Sequence, residues 1–218
     1  MAYRRTENVV RRLAAREDAI LAAATAVAGE GGMEAVQIAT VAERAGIAAG
    51  TVYRYFPSKT DLVGELVAGV AAREIGAMRA AADAAPGPLS ALAACIATFG
   101  ARALSERQLA WAAIAEPVDA SVNAMRLNFR KGIAAELARR IRAAIVGGHL
   151  ADIDAAVAAP AIVGVLMEAL LGPLAPKLGD AAARREAVQT ATLLALRALG
   201  VIDARARGLV MQCALPLS

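Results

Sequence analysis

Residues 38–59, Ile38-Ala39-Thr40-Val41-Ala42-Glu43-Arg44-Ala45-Gly46-Ile47-Ala48-Ala49-Gly50-Thr51-Val52-Tyr53-Arg54-Tyr55-Phe56-Pro57-Ser58-Lys59, constrain this chain more than any other stretch. They have the spacing of two short helices that cross through a tight turn and run straight into a third helix. Such a crossing, at about 90–120° through a turn of roughly three to four residues, makes strict local demands. The first helix needs a small residue where the second passes it, which Ala42 provides. The turn needs a residue that takes positive φ at little cost, which Gly46 provides. Val41 and Ala45 before the turn, and Ile47 and Val52 after it, brace the inner faces. A pair of ordinary core helices around a glycine turn shares part of this pattern. The residues that follow separate the two readings.

In Tyr53-Arg54-Tyr55-Phe56-Pro57-Ser58-Lys59, Phe56 anchors the end of the second helix in the core. Pro57 stops that helix, because a residue before proline avoids the α region. Ser58 starts the next helix as its cap, with Asp61 three residues on, close to a capping box. Lys59 falls in the first turn, where the helix dipole prefers anions. A DNA phosphate answers that lysine; a solvated surface lysine is the other reading.

On these residues, together with a first helix and its end over 20–32 and the continuation Thr60-Asp61-Leu62, the chain resembles the TetR family of transcriptional regulators over roughly residues 15–63. The rest resembles that family only in being an all-helical, apolar domain of suitable length. The resemblance implies a homodimer, a double-stranded DNA operator with two half-sites, repression as the usual outcome, and release or tightening by a small molecule. One departure stands out. The family often has Ser or Thr directly after the position of Ile47, capping the reading helix, and this chain has Ala48. Losing such a cap costs about 1 kcal/mol and removes a hydroxyl that would serve a phosphate.

The exposed side of the second helix is expected to offer Ala48, Ala49, Gly50, Thr51, Tyr53 and Arg54. The resemblance implies phosphate contacts by Thr40, Tyr53, Tyr55 and Lys59. Core packing is an equal reading for Tyr55. Thr51 and Arg54 are the candidates nearest base edges, flanked by Gln37 and Arg44. Arginine suits a bidentate contact with guanine, and small methyl groups suit the thymine methyl. A face this poor in hydrogen-bonding side chains predicts few direct base contacts and a larger share from DNA shape. The amino-terminal arm, with Arg4, Arg5, Arg11, Arg12 and Arg16, can follow the backbone or enter the minor groove, or remain a solvated tail.

Charge does not carry the DNA argument. The net charge is +4, and residues 1–60 hold 8 basic and 6 acidic side chains, so the excess is spread over the chain. Cys95 and Cys213 match no metal or redox spacing, and with His149 alone no His/Cys cluster forms within one chain. They read as small apolar residues, with a thiol sensor as the lesser alternative. No cofactor is expected. An all-α enzyme would need a constellation of acid, base or nucleophile that one histidine and scattered acids do not supply, so the chain is not read as an enzyme. The arginine-rich start has no apolar run behind it, so no signal peptide is expected and the compartment is read as bacterial cytoplasm. The composition is 58% hydrophobic, mostly through alanine. The least charged stretch, residues 155–176, is interrupted by Glu168 and by proline and glycine, and falls short of the roughly 20 strongly apolar residues of a membrane span. A buried oligomer bundle needs the same all-round apolar helix.

Alanine dominates and alternating β-branched runs are scarce, so the chain is all-α: a helix-turn-helix DNA-binding domain over 1–60 and a helical ligand-binding and dimerisation domain over 61–218. Helices are expected from about residue 9 or 16 to Gly29, over 38–45, 49–56, 59–84, 89–105 and 108–115, from a cap at Asp119 to Ile145, and over 154–171 and 181–199. Residues from Gly200 onward read as a tail. In the last two long helices Val157, Ile162, Val163, Leu166, Leu170, Val188, Leu193, Leu194 and Leu196 form faces for a four-helix bundle between two subunits, or close the monomer's own core. Gly164 would let helix backbones approach.

An effector pocket is expected among the middle helices, lined by Phe99, Trp111, Ile114, Met125, Leu127, Phe129 and Met167, with Glu116, Asn123, Arg126, Asn128 and Glu168 as nearby polar groups. Glu168 interrupts an apolar helix. A buried unpaired carboxylate is costly, so it reaches the surface, pairs with arginine or faces a ligand. The expected mechanism is a population shift in which a hydrophobic ligand moves the middle helices and the 59–84 helix swings the two reading heads apart. The alternative is a TetR-like DNA-binding protein without ligand control.

Overall fold

The structure, a computed structural model, describes residues 2–116 and 120–215, with backbone alone for 2–8 and 120–121. It is all-α, and no strand occurs among the described residues. The helices are α1 (Ala2–Ala35), α2 (Ile38–Arg44), α3 (Ala49–Tyr55), α4 (Lys59–Asp83), α5 (Pro88–Ser105), α6 (Arg107–Ile114), α7 (Ala120–Val146), α8 (Ala155–Leu166), α9 (Ala181–Ala198) and α10 (Asp203–Gln212).

Most boundaries fall within a residue or two of those expected. Three differ. Helix α1 starts near the chain's beginning and runs through Gly29 and Gly31, turning aside only at Gly32 (φ 74°). The Arg- and Ala-rich arm has high helix propensity, and glycine in a helix costs only about 1 kcal/mol; positive φ is what breaks the run. The 154–171 helix is regular to Leu166 and then widens into a π-helical segment, Met167–Leu171, closed by a Gly172 N–H bond of 2.7 Å to the Met167 carbonyl. The expected tail is a helix. Gly200 (φ 86°) turns the chain, the side chain of Asp203 accepts from Arg207 one turn on and from Arg197 of α9, and Ala206 and Val210 are buried. The expected cap at Asp119 lies outside the described residues, as does Pro117.

Helix α4 shows how burial builds the frame. Its buried residues Leu62, Val63, Leu66, Val67, Val70, Glu74, Met78 and Ala82 recur three and four apart, so one face stays inward for the whole length. That face packs on α5 and α7. Helix α5 is apolar nearly all round and forms the centre, against α4, α7 and α9. Among the described residues it is the one helix long and apolar enough to cross a membrane, and most of it is buried inside the fold.

The last helices mainly close this subunit's own core. Ile162, Val163, Leu166, Leu170, Val188 and Leu196 are buried within it, while Val157 and Leu194 stay exposed. Helix α8 nevertheless presents an outer face of Val157, Pro160, Ala161 and Gly164, with open space above Gly164.

Candidate nucleic-acid interface and effector cavity

The α2–α3 unit is held by its backbone. Gly46 takes φ 64°, its N–H bonds to Glu43 O at 3.0 Å, and the Ile47 N–H bonds to Ala42 O at 3.0 Å. Val41, Ala42 and Val52 are buried beneath the crossing, and Phe56 is buried at the end of α3. Ala48 caps α3 with no side-chain hydrogen bond. At α4 the Ser58 hydroxyl oxygen accepts the Asp61 N–H at 3.1 Å and the hydroxyl donates to the Asp61 carboxylate at 2.7 Å. This local bonding fixes the angle at which α3 passes into α4.

The outer surface of this unit carries Thr40, Gly50, Tyr53 and Arg54 exposed, with Ala49, Thr51 and Lys59 half-buried. Tyr55 is half-buried and packs on the core. Arg44 is engaged: its guanidinium forms a two-pronged pair with Glu30 of α1, and that bond holds the Glu30 carboxyl below its ordinary value. Exposed Gln37 donates to the Glu34 carbonyl at 2.8 Å. The structure also gathers what the sequence presents separately. Arg12 and Arg16, one turn apart on the exposed start of α1, share an open cleft with Thr51, Arg54 and Tyr55 of α3. Three guanidinium groups on one cleft suit a polyanion. The side chains of Arg4 and Arg5 lie outside the described residues.

A second site lies between α4, α5, α6 and α7. A small cavity has apolar walls from Val70, Phe99, Ala103, Leu109, Ala110, Ile114 and Phe129. Its freely open part holds about one water molecule. Of the expected lining, Phe99, Ile114 and Phe129 are present. Trp111 is half-buried on α6 away from the walls, and Met167 likewise lies outside them. Met125 instead covers α4, its Cε 2.9 Å from where a Cβ on Gly64 would stand. Leu127 and Asn128 are exposed. Glu168 is exposed in the π segment and folds over Gly172; the widened turn takes it to the surface, outside the walls of this cavity.

The cavity's polar edge was not expected. Arg102 of α5 donates to both Glu74 oxygens at 2.6 and 2.9 Å, Arg73 donates to Glu74 at 2.8 Å, and Arg73 reaches Glu106 at 2.6 Å. Bonding to Glu74 raises the Arg102 pKa. Partners 28 and 33 residues apart leave no local signal; only the inward spacing of Glu74 on α4 hints at it. A second cluster ties the far end of α4 to α7. Buried Glu136 accepts from Arg139 and from Arg140, and Arg140 bonds Asp83 at 2.6 Å. Burial alone would raise the Glu136 carboxyl, but the bonds and charges of Arg139 and Arg140 outweigh it and hold it below the ordinary value. Glu116, at the end of α6, accepts the Met33 N–H at 2.8 Å beside the Gly32 break. The end of α6, whose Leu109, Ala110 and Ile114 line the cavity, is therefore bonded to α1.

The thiols are inert in this setting. Burial first, and the Glu136 charge second, push Cys95 up to about 12, and burial pushes Cys213 up to about 11. No group of three or more metal-ligating side chains occurs among the described residues.

Residues 20–66 match the family model described as bacterial regulatory proteins, tetR family. Over 48 residues the chain is 58% identical to the HTH-type transcriptional repressor KstR of Mycolicibacterium smegmatis, covering 22% of this chain and 24% of that protein. The KstR of Rhodococcus jostii is also 58% identical over 48 residues, 22% of this chain and 23% of its own. The chain thus aligns with about a quarter of the length of these curated relatives. Among solved structures, RolR in complex with resorcinol superimposes with a TM-score of 0.67 at 19% identity, over 96% of this chain and 98% of that one. FadR from Bacillus subtilis in complex with stearoyl-CoA does so with a TM-score of 0.63 at 19% identity, over 88% and 95%. These likenesses establish a shared fold across nearly the whole chain.

Proposed function

We propose that this chain, which through its N-terminal segment belongs to the tetR family of bacterial regulatory proteins, is a transcriptional repressor that binds a palindromic operator as a homodimer and responds to a small hydrophobic molecule. The observation that carries the reading is the α2–α3 crossing, with Thr51, Tyr53 and Arg54 turned outward while Val52 and Phe56 lock the reading helix from behind. Thr40, Tyr53 and Lys59 serve as phosphate contacts, and Thr51 and Arg54 stand nearest base edges, with Ala49 and Gly50 allowing close approach. Gln37 and Tyr55 take lesser parts, and Arg44 acts by holding α2 to Glu30. Arg12 and Arg16 extend the charged surface beside Arg54.

The DNA-binding unit ends near residue 60, and the remainder serves dimerisation and sensing. The outer face of α8 with exposed Leu194 of α9 suits a two-fold interface. Two reading heads then meet half-sites about one helical turn, 34–36 Å, apart. The cavity walls suit an apolar molecule, and the ligands of RolR and FadR, resorcinol and stearoyl-CoA, are precedents for a ligand in this fold. The closed state of the cavity favours a second reading, a regulator without ligand control.

The test is selection of bound fragments from the source genome, followed by a salt titration on the winners. A palindromic site whose affinity falls steeply with salt supports the proposal. Absence of enrichment, with and without cell extract metabolites, rejects operator binding.

A further inference from the structure

We propose that Arg126 is the anion-recognition group of the effector site, and that the effector is a compact hydrophobic carboxylic acid. This deepens the proposed function and rests on reading the α4–α7 cavity as the effector site. Arg126 is 2% exposed and heads the largest fully buried side chains. Its Nη2 donates to the Ala112 carbonyl of α6, while Nε and Nη1 have no hydrogen-bond partner among the described residues. A guanidinium stays charged, and a buried charge without a partner is costly. Arg102 and Arg140 each bond carboxylates. Burial pushes the Arg126 guanidinium below its ordinary value, and the Glu116 charge only partly opposes this, its carboxylate accepting the Met33 N–H.

Place and chemistry agree. Arg126 lies one turn before Phe129 on α7, and Ala112 lies two residues before Ile114 on α6. Phe129 and Ile114 are both cavity walls, while Arg126 itself stands beside them outside the lining. The cations at the opposite edge, Arg73 and Arg102, are taken up by Glu74 and Glu106. An acid that parts α6 from α7 beside these walls reaches a buried cation with donors to spare. A carboxylate offers acceptors alone and forms strong charge-assisted bonds with a guanidinium. Its apolar body takes the space among Val70, Phe99, Ile114 and Phe129. The cavity has room for about one water, far below the roughly 300–1,000 Å³ of ligand sites, so it must widen on binding.

Octanoate, octanol and sulfate, titrated into the full-length protein by calorimetry and thermal shift, test this. Octanoate is expected to bind saturably and at least tenfold tighter than octanol, with sulfate weaker than either. Arg126→Met should lose at least tenfold in octanoate affinity, keep that for octanol, and leave the unliganded thermal midpoint equal or higher. Arg126→Lys should retain part of the preference. The Arg126 Nε–H resonance should shift with octanoate and not with octanol. Equal binding of acid and alcohol, an unchanged Arg126→Met, or sulfate binding as tightly as octanoate would overturn the inference. Octanoate binding that survives the cavity-filling Phe129→Trp would instead overturn the placement of the effector site, a failure distinct from that of Arg126.

Discussion

Removing the Glu74 carboxylate tests whether the cavity's polar edge binds α4 to its neighbours. Glu74 accepts three charge-assisted bonds, two from Arg102 and one from Arg73, and its side chain is 12% exposed. Breaking a fully buried pair from one side costs about 3–5 kcal/mol, and an exposed pair contributes about 0.2–1 kcal/mol. Arg102 lies between these limits at 30% exposure, so water partly rescues it after the loss. Arg73 is 43% exposed and keeps Glu106, and adds little. Alanine's better helix propensity returns a few tenths of a kcal/mol. Glu74→Ala should therefore lose about 2 kcal/mol, seen as a lower urea midpoint with an unchanged m-value. A double-mutant cycle with Arg102→Ala should give a coupling of about 1–2 kcal/mol. A loss under about 0.5 kcal/mol, or additive single mutants, would mean that apolar packing alone joins α4 to α5 and that the edge is decoration.

Other outcomes follow from the same geometry. Lys59→Ala should weaken operator binding and reduce the salt slope by about one ion; Tyr53→Ala should weaken it with the slope kept, and unchanged affinity in both removes the phosphate assignment. Arg54→Ala should relax preference at a base position in a binding-site selection, whereas a uniform loss across sequences would move Arg54 to the backbone. Because Glu136 has a lowered folded pKa, its contribution is present above the unfolded value and lost as pH falls through the folded one. Glu136→Gln should thus flatten the loss of stability in acid denaturation below the ordinary Glu pKa of about 4.3, and parallel curves would refute this. At pH 8 a thiol near 12 is ionised about once in ten thousand, so a thiol reagent should label Cys95 only after unfolding; rapid labelling of the folded protein would contradict its burial.

The parts legible in the sequence are those whose constraints are local. Gly46, Pro57, Ser58 and Asp61 each state a backbone geometry within a few residues, and α2, α3 and the start of α4 fall where they indicate. The cavity was half legible. Phe99, Ile114 and Phe129 stand out as large residues in alanine-rich helices, but the same signal misplaced Trp111, Met125 and Met167, since size does not say which face a helix turns inward. Glu74, Arg102 and Glu106 escaped because their meaning lies in pairing across helices. Helix α10 escaped because it is short and buries only Ala206 and Val210, and the Asp203 bonds to Arg197 and Arg207 are tertiary or one turn apart.

These pieces bear on how occupancy of the cavity would reach the DNA. Helix α4 contributes Val70, Arg73 and Glu74 to the cavity and begins at Lys59, beside the reading helix. At 1.5 Å per residue about 22 Å separate Glu74 from Lys59. A tilt of about 5° around Glu74 moves the start of the helix by roughly 2 Å, and the two-fold symmetry of the proposed homodimer would double that between reading heads. The path does not depend on α4 alone, because Glu116 holds Met33 at the bend of α1, and Arg44 of α2 is pinned to Glu30 of the same helix. A ligand that parts α6 from α7 therefore acts on both supports of the α2–α3 unit. Cutting one, as in Glu116→Ala, should weaken the effect of a saturating ligand on operator affinity; an undiminished effect would assign the transmission to α4.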